Sequence, residues 1–371
     1  MTKIVAVYRT AYPLPSEAFI PSQLLGLMRY QPLVWCRDFH GSDNPQIKVK
    51  SVFADKPASV WRKVLFTFFG IAGFKDDVQL VHAHFGPDAA MILPLVKRSN
   101  LPLVVTFHGF DAQQSRWSML KSKTISNWLF LLREKMIYRY ASRIIAVSAY
   151  LRECLIRRGC PPDKLIVHYI GVDTSRFKVD SAARIPKRLV NVSRHVDWKG
   201  IDTILLALPQ LIVQYPDLVL VQIGSGPDTR RLQQLAVELG VSEHVHWRGA
   251  LPHEQVLAEL RQASVYVHAA RTDEKGQTEA FGIALIEAQA CGVPVVATRS
   301  GGIPEAMLEN HTGLLFEEND HAALAAQLDS LLSDGARLDF LANNAREFVV
   351  SRFDINVQSA KLENIYDEIG S

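Results

Sequence analysis

Short aliphatic runs alternate along this chain with longer stretches in which apolar positions recur every three or four residues. In the first half, Ile4–Tyr8, Val78–His82, Leu103–Phe107 and Arg143–Val147 form such runs, each followed by polar or turn residues and a helix-length segment. The rhythm restarts at Leu189–Val192 and continues through Val219–Ile223, His244–Trp247, Val265–His268 and Val293–Ala297. Strands apolar on both faces and separated by helices predict parallel sheets covered on both sides. Two such series, joined near Gly171–Asp180, predict an α/β chain of two doubly wound domains, 1–171 and 172–356, with a cleft between them. Ligands of such sheets bind beyond the carboxyl ends of the strands. The closing segment 353–369 reads as a further helix.

Composition agrees with two domains. The chain has 371 residues, 48% of them hydrophobic, and a single core stops growing at roughly 250–300 residues. The net charge of +3 hides an asymmetry: residues 1–180 carry 25 Lys and Arg against 13 Asp and Glu, a net +12, and the remainder is net −9. An anionic partner is therefore expected for the first half alone. Cys36, Cys154, Cys160 and Cys291 show no C-x-x-C pair and no histidine at zinc-like spacing, so they read as free thiols in a reducing cytoplasm. The chain opens directly on a strand-like run without a signal-peptide core. Its longest apolar stretch, Val64–Phe74, is broken by Thr67 and Gly70 and falls short of the ~20 residues a spanning helix needs. A soluble protein is expected, one that at most lies on a membrane.

The strongest chemical signal is TEAFGIALIEAQACGVPVVATRSGGIPE at 278–305. Glu279 and Glu287 stand eight positions apart, with Phe281, Gly282 and Ile283 opening a helix between them. With Glu279 on the preceding loop, the two carboxylates can bracket a ligand at the helix N-terminus. The amides and positive dipole end there suit a diphosphate. An acidic pair flanking an ordinary helix is the plain alternative.

These residues, with VHAHFG (81–86), VTFHGFD (105–111), IGVDTSRF (170–177), VSRHVDWKG (192–200), IGSGP (223–227) and WRGAL (247–251), resemble the GT-B retaining glycosyltransferases of the family 4, group 1 type. That family includes enzymes of bacterial exopolysaccharide and lipopolysaccharide assembly. The resemblance covers nearly the whole chain. It implies two Rossmann-like domains facing a central cleft, an N-terminal one for the acceptor and a C-terminal one for a nucleotide-sugar. A terminal helix, 357–371, is expected to pack back on the first.

The resemblance also implies roles. Glu287 would bind ribose hydroxyls and Glu279 donor-sugar hydroxyls, while amides near Phe281, Gly282 and Ile283 hold sugar and phosphate. Arg194 and Lys199 would clamp the diphosphate, a fork and a point charge suited to phosphate; as plain alternatives they are surface charges in a βα loop. Gly224 and Gly226 would admit the nucleotide backbone closely, and Arg248 would lie against a uracil or guanine base. His108, after the strand Leu103–Phe107, would lie against the donor sugar. Asp111 either meets the acceptor or caps a turn.

The implied reaction is metal-independent and retaining, and no cofactor beyond the nucleotide-sugar donor is expected. The bond from the anomeric carbon to diphosphate breaks through an oxocarbenium-like transition state. Lys199, Arg194 and the helix N-terminus stabilise the leaving charge, and domain closure excludes water. No Asp-x-Asp metal motif stands at a strand end.

The loop TAYPLPSEAFI (10–20) stands where many relatives carry a Gly-rich loop. Its Ser16 and Glu17 hint at acceptor binding, and Glu17 equally reads as a helix-start carboxylate. Two stretches fit a membrane surface: WRKVLFTFFGIAGF (61–74), and 121–143, which interleaves basic residues with Trp128, Phe130, Leu131 and Leu132. Ordinary core-facing helices are the alternative for both. A glycan or lipid-linked glycan acceptor at an anionic membrane, on its inner face, is expected, and nucleic acid is not. The rival readings are a sugar-nucleotide epimerase of similar fold and a non-catalytic subunit that binds nucleotide-sugar or glycan. A dehydrogenase would need the dinucleotide fingerprint, which Pro227 interrupts.

Overall fold

The aliphatic runs are strands because both of their faces are covered: every residue of Leu80–His84, Leu103–Phe107, Val265–His268 and Val295–Thr298 is buried. The structure is a computed structural model that describes residues 3–14, 17–41, 45–53, 59–71, 76–122, 124–180 and 184–370. Its contacts divide the chain into two units, Met1–Gly171 with Ile355–Ser371, and Val172–Asp354.

The first unit is a seven-stranded parallel sheet: β1 (Lys3–Tyr12), β2 (Tyr30–Phe39), β3 (Lys48–Ser51), β4 (Leu80–His84), β5 (Leu103–Phe107), β6 (Arg143–Ala146) and β7 (Leu165–Val167), in the order β3-β2-β1-β4-β5-β6-β7. Its helices are α1 (Phe19–Leu25), α2 (Val60–Phe69), α3 (Gly86–Arg98), α4 (Phe110–Gln113), α5 (Arg116–Lys121), α6 (Ile125–Tyr140) and α7 (Ala149–Arg157). The second unit has a six-stranded parallel sheet ordered β10-β9-β8-β11-β12-β13. Its strands are β8 (Arg188–Val192), β9 (Val219–Ile223), β10 (Val245–Gly249), β11 (Val265–His268), β12 (Val295–Thr298) and β13 (Gly313–Phe316). Around it lie α8 (Ile201–Gln214), α9 (Thr229–Glu238), α10 (His253–Gln262), α11 (Ile283–Ala290), α12 (His321–Leu332) and α13 (Gly335–Phe353). The last helix, α14 (Ile355–Gly370), belongs to the first unit.

Two contacts explain why α14 packs there. The buried Glu363 carboxylate accepts from the successive amides of Met28, Arg29 and Tyr30 at 2.8, 2.5 and 3.0 Å, satisfying the entry into β2. Tyr366, fully buried, places its hydroxyl 2.6 Å from His82 Nδ1 on β4. The core around β8 and β9 gathers Leu189, Leu220, Val267 and Leu314 with Ile204, Leu208 and Leu328. Truncating one such leucine to alanine costs about 2–5 kcal/mol.

The sequence pattern misplaces β4, which begins and ends two residues later than Val78–His82, and it passes over β2, β3, β7 and β13. Each missed strand either lies at an edge, where one ladder suffices, or next to one. Among the described residues, no helix is long and apolar enough to cross a membrane.

Candidate active site

In the second unit the central strand β11 ends on His268, at the carboxyl end where ligands of such sheets collect. The chain then crosses a loop to α11, and Glu279 lies on that loop, four residues before the helix. Glu287 is the fifth residue of α11, so the two carboxylates flank the helix N-terminus rather than sharing a helical face. The loop is pinned from beneath: Gly302 N–H donates to the Glu279 carbonyl at 2.9 Å, and a Cβ on Gly301 would lie 2.1 Å from that oxygen. Phe281 is buried edge-on against Phe353, with 5.3 Å between ring centroids. Gly282 caps α11 in the left-handed region, and Ile283 begins the helix. The first amides of a helix have no partner within it and point out along the axis.

Lys199 ends a single 3-10 turn, Asp197–Lys199, between β8 and α8. Its ammonium lies 4.2 Å from the Trp198 ring centroid and pairs with Glu279 Oε2, the same oxygen that His268 Nε2 approaches at 3.0 Å. Burial works to raise the Glu279 pKa, but the Lys199 charge and the His268 hydrogen bond outweigh it and hold the carboxyl far below the usual range. Burial chiefly, with the Lys199 charge, keeps His268 neutral. The site therefore presents an ionised carboxylate whose second oxygen, Oε1, has no partner among the described residues. Glu287 follows the same plan: Oε1 meets His253 Nε2 at 2.9 Å, leaving Oε2 without a partner among the described residues.

Arg194, in the loop after β8, is exposed and makes no ion pair among the described residues. The turn that carries Lys199 is held by Arg271, whose Nη2 donates to Asp197 at 2.6 Å and Asp202 at 3.0 Å, while its amide donates to the Trp198 carbonyl at 2.8 Å. Gly224 and Gly226 have a demand nearer than any ligand. A Cβ on Gly224, at φ +130°, would stand 1.9 Å from the Ser193 carbonyl, and one on Gly226 would stand 2.3 Å from that of His195. Both glycines are thus required by an approach of the chain to itself. Arg248 pairs with Glu259 of α10 at 2.9 Å, which commits one end of the guanidinium expected against a base.

In the first unit, alternation along β4 puts His82 and His84 on one face, stacked with centroids 4.4 Å apart. His108 follows β5, and its Nε2 lies 2.9 Å from His84 Nδ1. Burial pushes all three rings down, His82 to about 3, so they are neutral near pH 7. Phe19 and Phe85 pack on the His108 ring at 4.9 and 4.6 Å. Asp111 is fully buried and accepts from the amides of Gly86, Gly109 and His108 at 2.9, 3.0 and 3.3 Å. Burial raises its pKa to about 6 against those bonds. This corrects the acceptor contact expected of Asp111: its oxygens face the backbone and shape the loop behind His108. Glu17 pairs with the buried Arg9, which also donates to Asp88 at 2.6 Å and lies 4.5 Å from the Phe85 ring centroid. Ser16 lies outside the described residues.

Sequence reasoning missed His268, His253 and Arg271. His268 carried a usable signal, a polar residue closing an apolar strand, whereas His253 and Arg271 are recognised only by their distant partners. Among the described residues, no group of three or more His, Cys, Asp or Glu is placed to hold a metal ion.

Comparison with known proteins fits this arrangement. The model for glycosyl transferases group 1 matches residues 174–348, and that for glycosyltransferase family 4 matches residues 24–176. The GDP-mannose-dependent alpha-(1-6)-phosphatidylinositol monomannoside mannosyltransferase of Mycolicibacterium smegmatis is 33% identical over 78% of this chain and 76% of its own length. A putative colanic acid biosynthesis glycosyltransferase, WcaL of Salmonella typhimurium, is 31% identical over 76% of this chain and 69% of its own. The crystal structure of Anabaena Alr3699/HepE with UDP and glucose shares the fold at a TM-score of 0.79, with 19% identity, over 99% of this chain and 100% of that one.

Proposed function

Because the chain belongs to the group 1 glycosyl transferases, we propose that it moves a hexose from a nucleotide diphosphate donor to a lipid-linked glycan or similar acceptor in cell-surface polysaccharide assembly, with retention and without a metal. The observation that carries this reading is the Glu279 carboxylate, ionised by Lys199 and His268 yet keeping one oxygen without a partner among the described residues, beside a helix N-terminus. That oxygen suits the hydroxyls of a donor sugar, and the free Oε2 of Glu287 suits those of ribose.

On this reading the second unit holds the donor. As the anomeric C–O bond breaks, its electron pair passes to the diphosphate oxygen, the acceptor oxygen bonds to the anomeric carbon on the same face, and the acceptor proton passes to the departing phosphate. Lys199, Arg194 and the α11 amides meet that charge with donors already in place, the role that a metal fills elsewhere. His268, neutral and buried, keeps Glu279 aligned without adding a charge. The first unit holds the acceptor, with Glu17 as a polar contact. GDP-mannose is the first donor to test, since the mycobacterial relative's name specifies it; UDP-sugars follow.

The test is release of nucleotide diphosphate from a panel of UDP- and GDP-sugars, with and without bacterial membrane lipid extract and with a chelator throughout. Release from one donor that rises with extract, persists under chelation and is lost in Glu279→Ala supports the proposal. Interconversion of the donor without any acceptor would point instead to an epimerase. Proton NMR of the product's anomeric centre reads retention directly.

A further inference from the structure

Surface helices usually turn a polar face outward, and three helices of the first unit do the reverse. On α6 the outward stripe is Ile125, Trp128, Leu132 and Met136, at i, i+3, i+7 and i+11, with Leu132 77% exposed. On α2 it is Trp61, Leu65, Phe68 and Phe69, with Trp61 76% exposed, while Phe66 and Thr67 alone are buried. On α5 it is Trp117 and Leu120.

These stripes form one face. Arg133 of α6 donates to the Thr67 carbonyl of α2 at 2.9 Å and lies 5.7 Å from the Phe68 ring centroid. Trp128 donates to the Leu120 carbonyl of α5 at 2.9 Å. Large exposed apolar patches mark interaction surfaces. The charges around this one have a single sign: α2, α5 and α6 contribute Arg62, Lys63, Arg116, Lys121, Arg133, Lys135 and Arg139, and their one acid, Glu134, is buried under Arg116 and Arg158.

We propose that this α2–α5–α6 face docks on an anionic lipid bilayer, its aromatic residues entering the interface and its basic residues meeting the headgroups. The proposal rests on the reading of a lipid-linked acceptor and gives that reading a surface. Tryptophan and phenylalanine beside lysine and arginine are the composition of interfacial helices. Each basic residue near such a surface strengthens partitioning about fivefold, and salt screens that gain. A protein partner would need acidic groups against this face and some polar pairing at its rim, whereas the apolar stripes here run without polar interruption along two helices.

The full chain is sedimented with phosphatidylcholine vesicles, with and without phosphatidylglycerol, and sized by light scattering without lipid. We expect binding to the anionic vesicles that weakens with salt. We expect at least a tenfold loss of binding in Trp61→Ser/Phe68→Ser/Phe69→Ser, and more than about 25-fold in Arg62→Glu/Lys63→Glu, which removes two basic residues and adds two acidic ones. Both variants should melt as the wild type does and release nucleotide diphosphate normally with detergent-dispersed lipid extract. Unchanged vesicle binding in the triple variant overturns the proposal. So does a stable dimer without lipid that Leu132→Ser disperses, which would assign the face to a second copy. A wild type that binds vesicles but releases nucleotide from no donor would sink the transferase reading and leave the surface standing.

Discussion

Acid should unfold the first unit through its histidines. His82, His84 and His108 are kept neutral by burial, His82 with a pKa near 3, while in the unfolded chain each titrates at about 6.5. The unfolded state therefore binds protons that the folded state refuses. Stability is complete above about pH 6.5 and falls as pH drops below it. At about pH 5.5 a neutral His82 favours unfolding by roughly 1 kcal/mol, and His84, His108 and His168, lowered by burial likewise, add in the same direction. Asp111 opposes this: its carboxyl takes up a proton more readily in the fold, with a pKa of about 6, which offsets part of the loss at the same pH. Glu17 and Asp88, also raised by burial, act in the same direction as Asp111. The net effect between about pH 7.5 and 5.5 is a loss on the order of a few kcal/mol, a large share of a typical domain's stability. Urea unfolding across this range, followed by amide exchange in β4 and β5, measures it. His82→Gln, which cannot titrate, should remove that ring's share and make the fall with acid shallower. A stability flat across the range, or ring NMR shifts of His82 or His84 that titrate near pH 6.5 in the folded protein, would refute the reasoning.

In the second unit, Glu279→Gln and Lys199→Met should each lower kcat/KM at least tenfold, measured by nucleotide diphosphate release. Each should also cost about 1.5–3 kcal/mol in urea unfolding, because it leaves a buried charge unpaired; the double variant should recover stability but not rate. Gly224→Ala should destabilise this unit by on the order of 3 kcal/mol, since its Cβ would meet the Ser193 carbonyl; a Tm equal to wild type would contradict that contact. His253→Ala should raise the Kd for nucleotide diphosphate roughly fivefold in calorimetry by freeing Glu287, and an unchanged Kd would remove Glu287 from the ribose role.

What the sequence made legible follows the range of the forces involved. The buried central strands were readable because covering both faces demands aliphatic residues at every position, as in Leu103–Phe107 and Val265–His268. The strand β2 was not, because Pro32, Arg37 and Asp38 break its apolar run at the side of the sheet where only short β3 lies beyond it. Glu279 and Lys199 could be named from their motifs, but not that they meet, since 80 positions separate them and only the sheet order brings β8 beside β11. The glycines of 223–227 were visible as glycines. Their reason, the Ser193 and His195 carbonyls, lies on another strand's loop. For Asp111 both readings stayed open, because an Asp beside a Gly has the same local signature whether its oxygens face a ligand or the backbone.

The two units handle charge in opposite ways, and on the proposed division of labour each way fits its ligand. Around His108 the titratable groups other than the buried Arg9 are shifted toward neutrality: three imidazoles are lowered, and Asp88, Asp111 and Glu17 are raised. Around Glu279 the Lys199 charge forces ionisation despite burial. A sugar hydroxyl is a neutral nucleophile, best oriented by neutral donors and acceptors that leave its proton in place until the anomeric bond opens. A diphosphate leaving group develops charge and is best met by fixed cations and amide dipoles. The buried cation of that cluster, Arg9, is held between Glu17 and Asp88, and most of the excess positive charge in the first half of the chain lies elsewhere. Seven of its basic residues belong instead to α2, α5 and α6, where they can attract an anionic surface without perturbing the neutral groups on β4 and β5.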